Sequence, residues 1–175
     1  AVPFDAEPHV YRQVDGRDLK VLLCRPPGPA PKAPPACIVL LHGGGWGSGV
    51  PQYLGHHARY FALRGAVAAA VEYRLAVKDS PVTIFDCVAD CKAAVRWLRS
   101  NAARLGIDPD RIAVVGESAG GHLAACVGMV PDLEAEGQDP AVSSQANAMI
   151  LLNPVLDLPA VPWLKDRLQI GRAHV

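Results

Sequence analysis

No stretch of this sequence could cross a bilayer as a helix. Its longest apolar runs, such as Ala66–Val71, fall far short of the ~20 residues a span needs. An excess of charge is lacking too. Seventeen Lys and Arg balance seventeen Asp and Glu, so nothing electrostatic points to nucleic acid or an anionic membrane as a partner. A disulfide framework is also missing: the five cysteines (Cys24, Cys37, Cys87, Cys91, Cys126) are odd in number and scattered over expected strands and helices. Cys87 and Cys91 are four apart on an expected helix, which sets their Cβ atoms about 5–6 Å apart, whereas a disulfide needs roughly 3.5–4.5 Å. As a zinc half-site the pair lacks a second Cys or His pair at ligand spacing, so no metal is expected. The reading is reduced, mostly buried thiols, which leans towards the cytoplasm. No initiator Met or signal-peptide pattern stands at Ala1, which leaves room for a leader removed earlier.

What is present is apolar mass. Half of the 175 residues are hydrophobic, enough for one core and one domain. Val10–Val14 and Leu19–Cys24 flank the tight-turn dipeptide Asp15-Gly16 and read as an opening β-hairpin. A Pro-rich extended connection, Arg25–Pro35, follows. Then four short continuous apolar runs recur: Ile38–Leu41, Ala66–Val71, Ile112–Val115 and Met149–Leu152. Strands without polar alternation are buried on both faces, as in a parallel sheet covered by helices. Crossover helices are expected over Gln52–Arg64, Ile84–Ala103 and Ala119–Val130. In the second, Ile84, Val88, Cys91, Val95, Leu98 and Ala102 form the apolar stripe, with Lys92, Arg96 and Arg99 outside it. Strand alternating with helix gives an α/β, doubly wound, mostly parallel sheet with flanking helices.

The chemistry concentrates at Gly116-Glu117-Ser118-Ala119-Gly120, between an expected strand and an expected helix. G-x-S-x-G in that setting is a nucleophile elbow. Ser118 sits in a strained conformation at the tip of a sharp turn, and Gly116 and Gly120 are needed because side chains there would collide. The helix N-terminus beneath favours a developing anion. A second signal, His42-Gly43-Gly44-Gly45-Trp46, directly follows the strand Ile38–Leu41. Acyl transfer needs backbone N–H groups aimed at the oxygen of a tetrahedral intermediate. The expected donors are Gly43 and Gly44, with Ala119 as the third. A phosphate-binding loop fails, since neither G-x-x-x-x-G-K-[ST] nor G-x-G-x-x-G occurs. His42 is expected to brace this loop, His122 to pack, and His56 and His57 to be exposed. Trp46 could wall a substrate pocket or join the core. The acidic stretch Asp132–Asp139 reads as a solvated loop.

His42–Trp46, Glu72-Tyr73-Arg74-Leu75, Asp108–Ile112 and Gly116–Ala124 together resemble the bacterial esterases of the hormone-sensitive-lipase-like group. The S-A-G-G-H at Ser118–His122 is similar to acetyl-esterase and feruloyl-esterase-like members. The resemblance runs from Cys37 to Asp157. It implies the α/β-hydrolase fold and hydrolysis of a short-chain or aromatic small-molecule ester. The implied route is a Ser118 acyl-enzyme and a Ser-Asp-His triad, with no metal or organic cofactor. It also suggests a structural ion pair between Arg74 and Asp90. Two further readings share the scaffold: an arylformamidase-like amide hydrolase, and a non-catalytic ligand-binding receptor.

In this fold the acid and then the base follow the nucleophile in sequence. After Ser118 the histidines are His122 and His174, and Asp157 is a weak candidate for the acid. Residues 170–175, Ile-Gly-Arg-Ala-His-Val, match the translation of a widely used sequencing adapter. The expectation is therefore the N-terminal portion of one α/β-hydrolase domain at 1–169, incomplete at its C-terminus and inactive alone, followed by a scar at 170–175.

Overall fold

Asp15 and Gly16 both take positive φ, 51° and 72°, the backbone of a two-residue hairpin loop whose twist matches its strands. They join β1 (Glu7–Val14) to β2 (Arg17–Cys24) in antiparallel register, with a bulge between Val10 and Arg12. The computed structural model describes residues 6–158; His174 and the segment 170–175 lie outside the described residues. β2 pairs antiparallel with β4 (Val67–Val71), and from there the sheet is parallel. β3 (Cys37–Leu41) lies between β4 and β5 (Ile112–Glu117), and β5 pairs with β6 (Ala148–Leu152). The order is β1-β2-β4-β3-β5-β6, so the strand leading to Ser118 has neighbours on both sides.

Alternate residues of the parallel strands feed two cores. Val39, Leu41, Ala69, Ile112 and Val114 pack on one face with α2 (Ile84–Ser100) and α4 (Ala119–Met129). Leu40, Ala68, Ala70 and Val115 pack on the other with α1 (Gly55–Ala62) and the tight helical turn Pro51–Leu54. Every residue of β4 is buried, which is why its sequence shows no polar alternation. No helix among the described residues is long and apolar enough to cross a membrane.

α2 starts at a capping box, in which the Thr83 hydroxyl accepts from the Asp86 N–H while the Asp86 carboxylate accepts from the Thr83 N–H. The helix expected over Ile84–Ala103 ends at Asn101, whose side-chain amide donates to the Trp97 carbonyl. A short α3 (Ala102–Leu105) follows and closes on Gly106 at φ 64°. None of the five cysteines is in a disulfide; Cys37, Cys87 and Cys91 are buried and the other two half-buried. Burial pushes the Cys37 and Cys87 thiols up to about 12, so neither is a ready nucleophile.

Lys92 and Arg96 fall outside the apolar stripe yet are buried, because the segment after α4 crosses that face of α2. The Lys92 ammonium donates to the carbonyls of Val130, Pro131 and Asp132 and pairs with Glu134 at 2.8 Å. Arg96 pairs with Glu134 at 2.6 Å and donates to the Val142 carbonyl. Glu134 lies on the exposed acidic loop that the sequence predicts, its side chain 33% exposed, yet its carboxylate is engaged. It is the carboxylate two buried cations share, and this fixes the segment that sequence alone leaves as an acidic loop.

Candidate active site

β5 ends at Glu117 and α4 begins at Ala119, so one residue makes the whole strand-to-helix reversal. Ser118 takes φ 54° and ψ −117°, a conformation L-residues rarely adopt and keep only when their surroundings impose it. Those surroundings are backbone. A Cβ on Gly116 would stand 2.0 Å from the Gly120 carbonyl oxygen; one on Gly120 would stand 2.1 Å from the carbonyl oxygen of Leu41. Glycine is required at both positions by close approach, with no positive φ involved. The Ser118 N–H donates to the Leu152 carbonyl, and the Ser118 carbonyl accepts from the His122 N–H, so the turn is tied to both β6 and α4. Glu117 is exposed, Ser118 is half-exposed, and no hydrogen bond among the described residues occupies the Ser118 hydroxyl.

The glycine-rich segment after β3 comes to this turn. A Cβ on Gly43 would lie 3.1 Å from the Glu117 carbonyl oxygen and 3.4 Å from the Ser118 Cβ, so its main chain runs directly against the serine. Gly44, Gly45 and Trp46 then take positive φ in succession, 118°, 59° and 58°. The Gly44 carbonyl closes the bend by accepting from Gly47 and Ser48 N–H and from the Ser48 hydroxyl. Among the described residues the N–H groups of Gly43, Gly44 and Ala119 have no backbone acceptor. The helix N-terminus, with its partial positive charge, lies beneath the serine. Such an arrangement suits an anion developing beside Ser118.

His42 is buried and stacked on Tyr73, with ring centroids 4.3 Å apart. Its Nδ1 lies 2.7 Å from the Gly43 carbonyl oxygen, and the Tyr73 hydroxyl donates to the His42 carbonyl at 2.7 Å. Burial lowers the pKa of His42, so the ring is neutral with its hydrogen on Nδ1. A ring held this way is placed to brace the glycine-rich segment. Tyr73 shares that role, and sequence reasoning missed it: its place in Glu72-Tyr73-Arg74-Leu75 was visible, its partner was not.

Trp46 is fully buried and belongs to the core, which decides between its two open readings. Its indole meets His122 edge-on, with centroids 5.3 Å apart at 85°, and its Nε1–H donates to His122 Nδ1 at 3.3 Å. His122 Nε2 lies 3.6 Å from Cys126 Sγ. Both ring nitrogens face partners within the core, and burial holds the pKa of His122 down. His56 is exposed, but His57 is half-buried with its Nδ1 enclosed and unpartnered, so it is less exposed than its polarity suggested. Asp157 is exposed.

Beside the sheet, Asp90 is fully buried and Arg74 pairs with it at 2.8 Å. Arg12, a partner no local pattern announced, reaches it from β1. Against the downward pull of burial, Asp90 and Asp86 raise the Arg74 pKa, so the cation is secure. The cluster ties the hairpin to α2 and takes no part at Ser118.

Comparison with known proteins agrees with this geometry. The family model BD-FAE matches residues 26–164. Carboxylesterase NlhH of Mycobacterium tuberculosis is 35% identical over 137 residues, covering 69% of this chain and 42% of its own length. Ethyl acetate hydrolase of Pseudomonas putida is 42% identical over 113 residues, covering 63% of this chain and 34% of its own length. The structure of Thermogutta terrifontis esterase 2 phosphoramylated by tabun superposes with a TM-score of 0.85 at 50% identity, over 93% of this chain and 61% of that one. The chain thus spans less than half the length of these two curated relatives. With the family model matching most of its residues, it belongs to the BD-FAE family, among the hormone-sensitive-lipase-like α/β-hydrolase esterases.

Proposed function

We propose that Ser118 is the nucleophile of a carboxylic ester hydrolase acting on short-chain or aromatic small-molecule esters. The observation that carries this reading is the Ser118 backbone, φ 54° and ψ −117°, imposed by glycines that no side chain could replace. The names of the relatives, a carboxylesterase and an ethyl acetate hydrolase, support the ester class and a short acyl group.

In this mechanism the Ser118 hydroxyl loses its proton to a base as its oxygen attacks the ester carbonyl carbon. The N–H groups of Gly43, Gly44 and Ala119 hold the oxyanion, the alcohol leaves with a proton, and water then hydrolyses the acyl-enzyme. Gly45, Trp46 and His42 shape the donor loop, and Gly116, Glu117 and Gly120 form the elbow. The acid and base of the triad are assigned outside the described residues, because His42 and His122 are both engaged in the core. With residues 170–175 read as a scar, the chain 1–175 by itself is expected to be a poor catalyst.

The test compares p-nitrophenyl acetate hydrolysis by three proteins: this chain, the protein from the complete reading frame, and its Ser118→Ala variant. The complete protein should turn over while the other two stay near buffer. Activity that survives Ser118→Ala would sink the nucleophile assignment, and robust activity in the 175-residue chain would place the base within it. The same panel with an N-formyl aniline amide separates an amidase from an esterase, and substrate binding without turnover in the complete protein would mark a receptor.

A further inference from the structure

The geometry points to His122 as a positioning residue that keeps the glycine loop in register with the nucleophile elbow, by accepting the indole hydrogen of Trp46. The inference rests on the reading of Ser118 as nucleophile and adds to it the device that aligns the donors with the serine.

The need for a device is visible in the loop. Gly44 and Gly45 tolerate their positive φ, but Trp46 is a bulky aromatic at φ 58°, where an L side chain crowds its own backbone. Something must hold it there. The Trp46 carbonyl accepts from the Ala76 N–H at 2.8 Å, which fixes the backbone on its far side. The indole is fully buried, and its Nε1–H reaches His122 Nδ1. An indole nitrogen only donates, so Nδ1 must present its lone pair and the ring hydrogen must sit on Nε2. Nε2 faces Cys126 Sγ, one turn further along the same helix and a weak acceptor. A directed chain results: Trp46 donates to His122, and His122 donates towards Cys126.

The far end of that chain is the elbow. His122 lies one helical turn after Ser118, and its own N–H donates to the Ser118 carbonyl at 3.1 Å. Ring and serine therefore move together. A loop that shifted against α4 would break a buried N–H···N bond and strand both partners away from water. The donors of Gly43 and Gly44 precede Trp46 by three and two residues, so a slipped indole would displace them first. Oxyanion donors act mainly in the transition state, so such a slip lowers kcat and leaves KM nearly unchanged.

The experiment uses the protein from the complete reading frame and two variants. His122→Phe keeps a ring against the indole but removes the acceptor; His122→Asn removes the ring but places an amide oxygen where Nδ1 stands. With p-nitrophenyl acetate, His122→Phe should lower kcat about ten- to a hundredfold with KM within about twofold, and His122→Asn should stay within about threefold of the native kcat. Native kcat in His122→Phe, or equal losses in both variants, overturns the proposal. A readout independent of activity accompanies this: in the native protein, nitrogen NMR should show scalar coupling across the bond between Trp46 Nε1 and His122 Nδ1. Its absence overturns the proposal even if a variant fails to fold. Activity that persists in Ser118→Ala defeats the nucleophile reading instead, and leaves the coupling to decide the clamp.

Discussion

A methyl group added at Gly116 would lie 2.0 Å from the Gly120 carbonyl oxygen, whereas at Gly65, φ 87°, it would meet nothing within 4 Å. The two glycines answer different constraints, and substitution separates them. Gly65→Ala carries only the conformational strain of a left-handed residue, about 1 kcal/mol. Gly116→Ala must push backbone apart and should cost more than about 3 kcal/mol or prevent folding. Urea unfolding of the two variants measures the contrast, and equal costs would mean the elbow is slacker than its contacts imply. At Gly44 a Cβ would meet the Ser48 carbonyl oxygen at 2.1 Å, so Gly44→Ala should open the bend and lower kcat of the complete protein about 10²–10³-fold. The buried histidines set a pH dependence. Burial lowers the pKa of both His42 and His122, so the unfolded chain takes up protons before the folded one. Stability is then full above the unfolded value of about 6.5 and falls as pH drops below it. Urea midpoints declining from pH 7 to 5 are the expected result; a flat profile would mean that neither ring is held neutral by the fold.

Among the elements, α2 shows how far a helix can depart from its own periodicity. Its N-terminus is specified locally by the Thr83–Asp86 capping box, and Thr83→Ala should cost about 1 kcal/mol. Its second face is specified by what crosses it. Against the upward push of burial, hydrogen bonds from Lys92, Ser144 and Arg96 hold the Glu134 carboxyl below its usual range. Because that pKa is lowered on folding, the stabilisation is present above the unfolded value of about 4.3 and lost as pH falls through the folded one. Glu134→Gln should therefore destabilise by about 2 kcal/mol at pH 7 and converge with the native protein in acid. Chemical denaturation at pH 7 and pH 3 tests this. A difference that stays constant between the two would show that the charge is not what holds the segment.

For the whole molecule, β6 is one of two edge strands among the described residues, with β1 at the other end, and Met149, Ile150 and Leu152 on it are exposed. An apolar strand edge is a template for pairing with another chain. The formal net charge of zero provides no repulsion to prevent it. The 175-residue chain should bind a hydrophobic dye and self-associate, and Ile150→Lys should reduce both. Light scattering that finds a dye-silent monomer at high concentration would contradict this. The buried ion cluster at Asp90 works at the same scale, joining the first strand to α2 across 78 residues of sequence. In Asp90→Asn, Arg12 loses this charged partner while Arg74 keeps Asp86, 3.1 Å away.

What sequence alone determined here is whatever depends on neighbours along the chain. The hairpin turn at Asp15-Gly16, the three buried strands β3, β4 and β5, the α2 stripe and the elbow glycines are all local patterns, because turn geometry and alternating or helical periodicity are set within a few residues; β6, expected to be buried like them, is exposed. Ser118 and the glycine loop were legible for the same reason: a sharp turn and an inward-facing main chain both demand glycine at fixed spacing. Tertiary structure decided the rest. Lys92 and Arg96 look like solvated cations until the segment after α4 lies across them. Trp46 looks equally like a pocket wall until His122 meets its indole, and Tyr73 has no role until it stacks on His42. Each of these depends on which distant group supplies the second hydrogen bond or covers the second face, and a one-dimensional pattern records only one side of a contact.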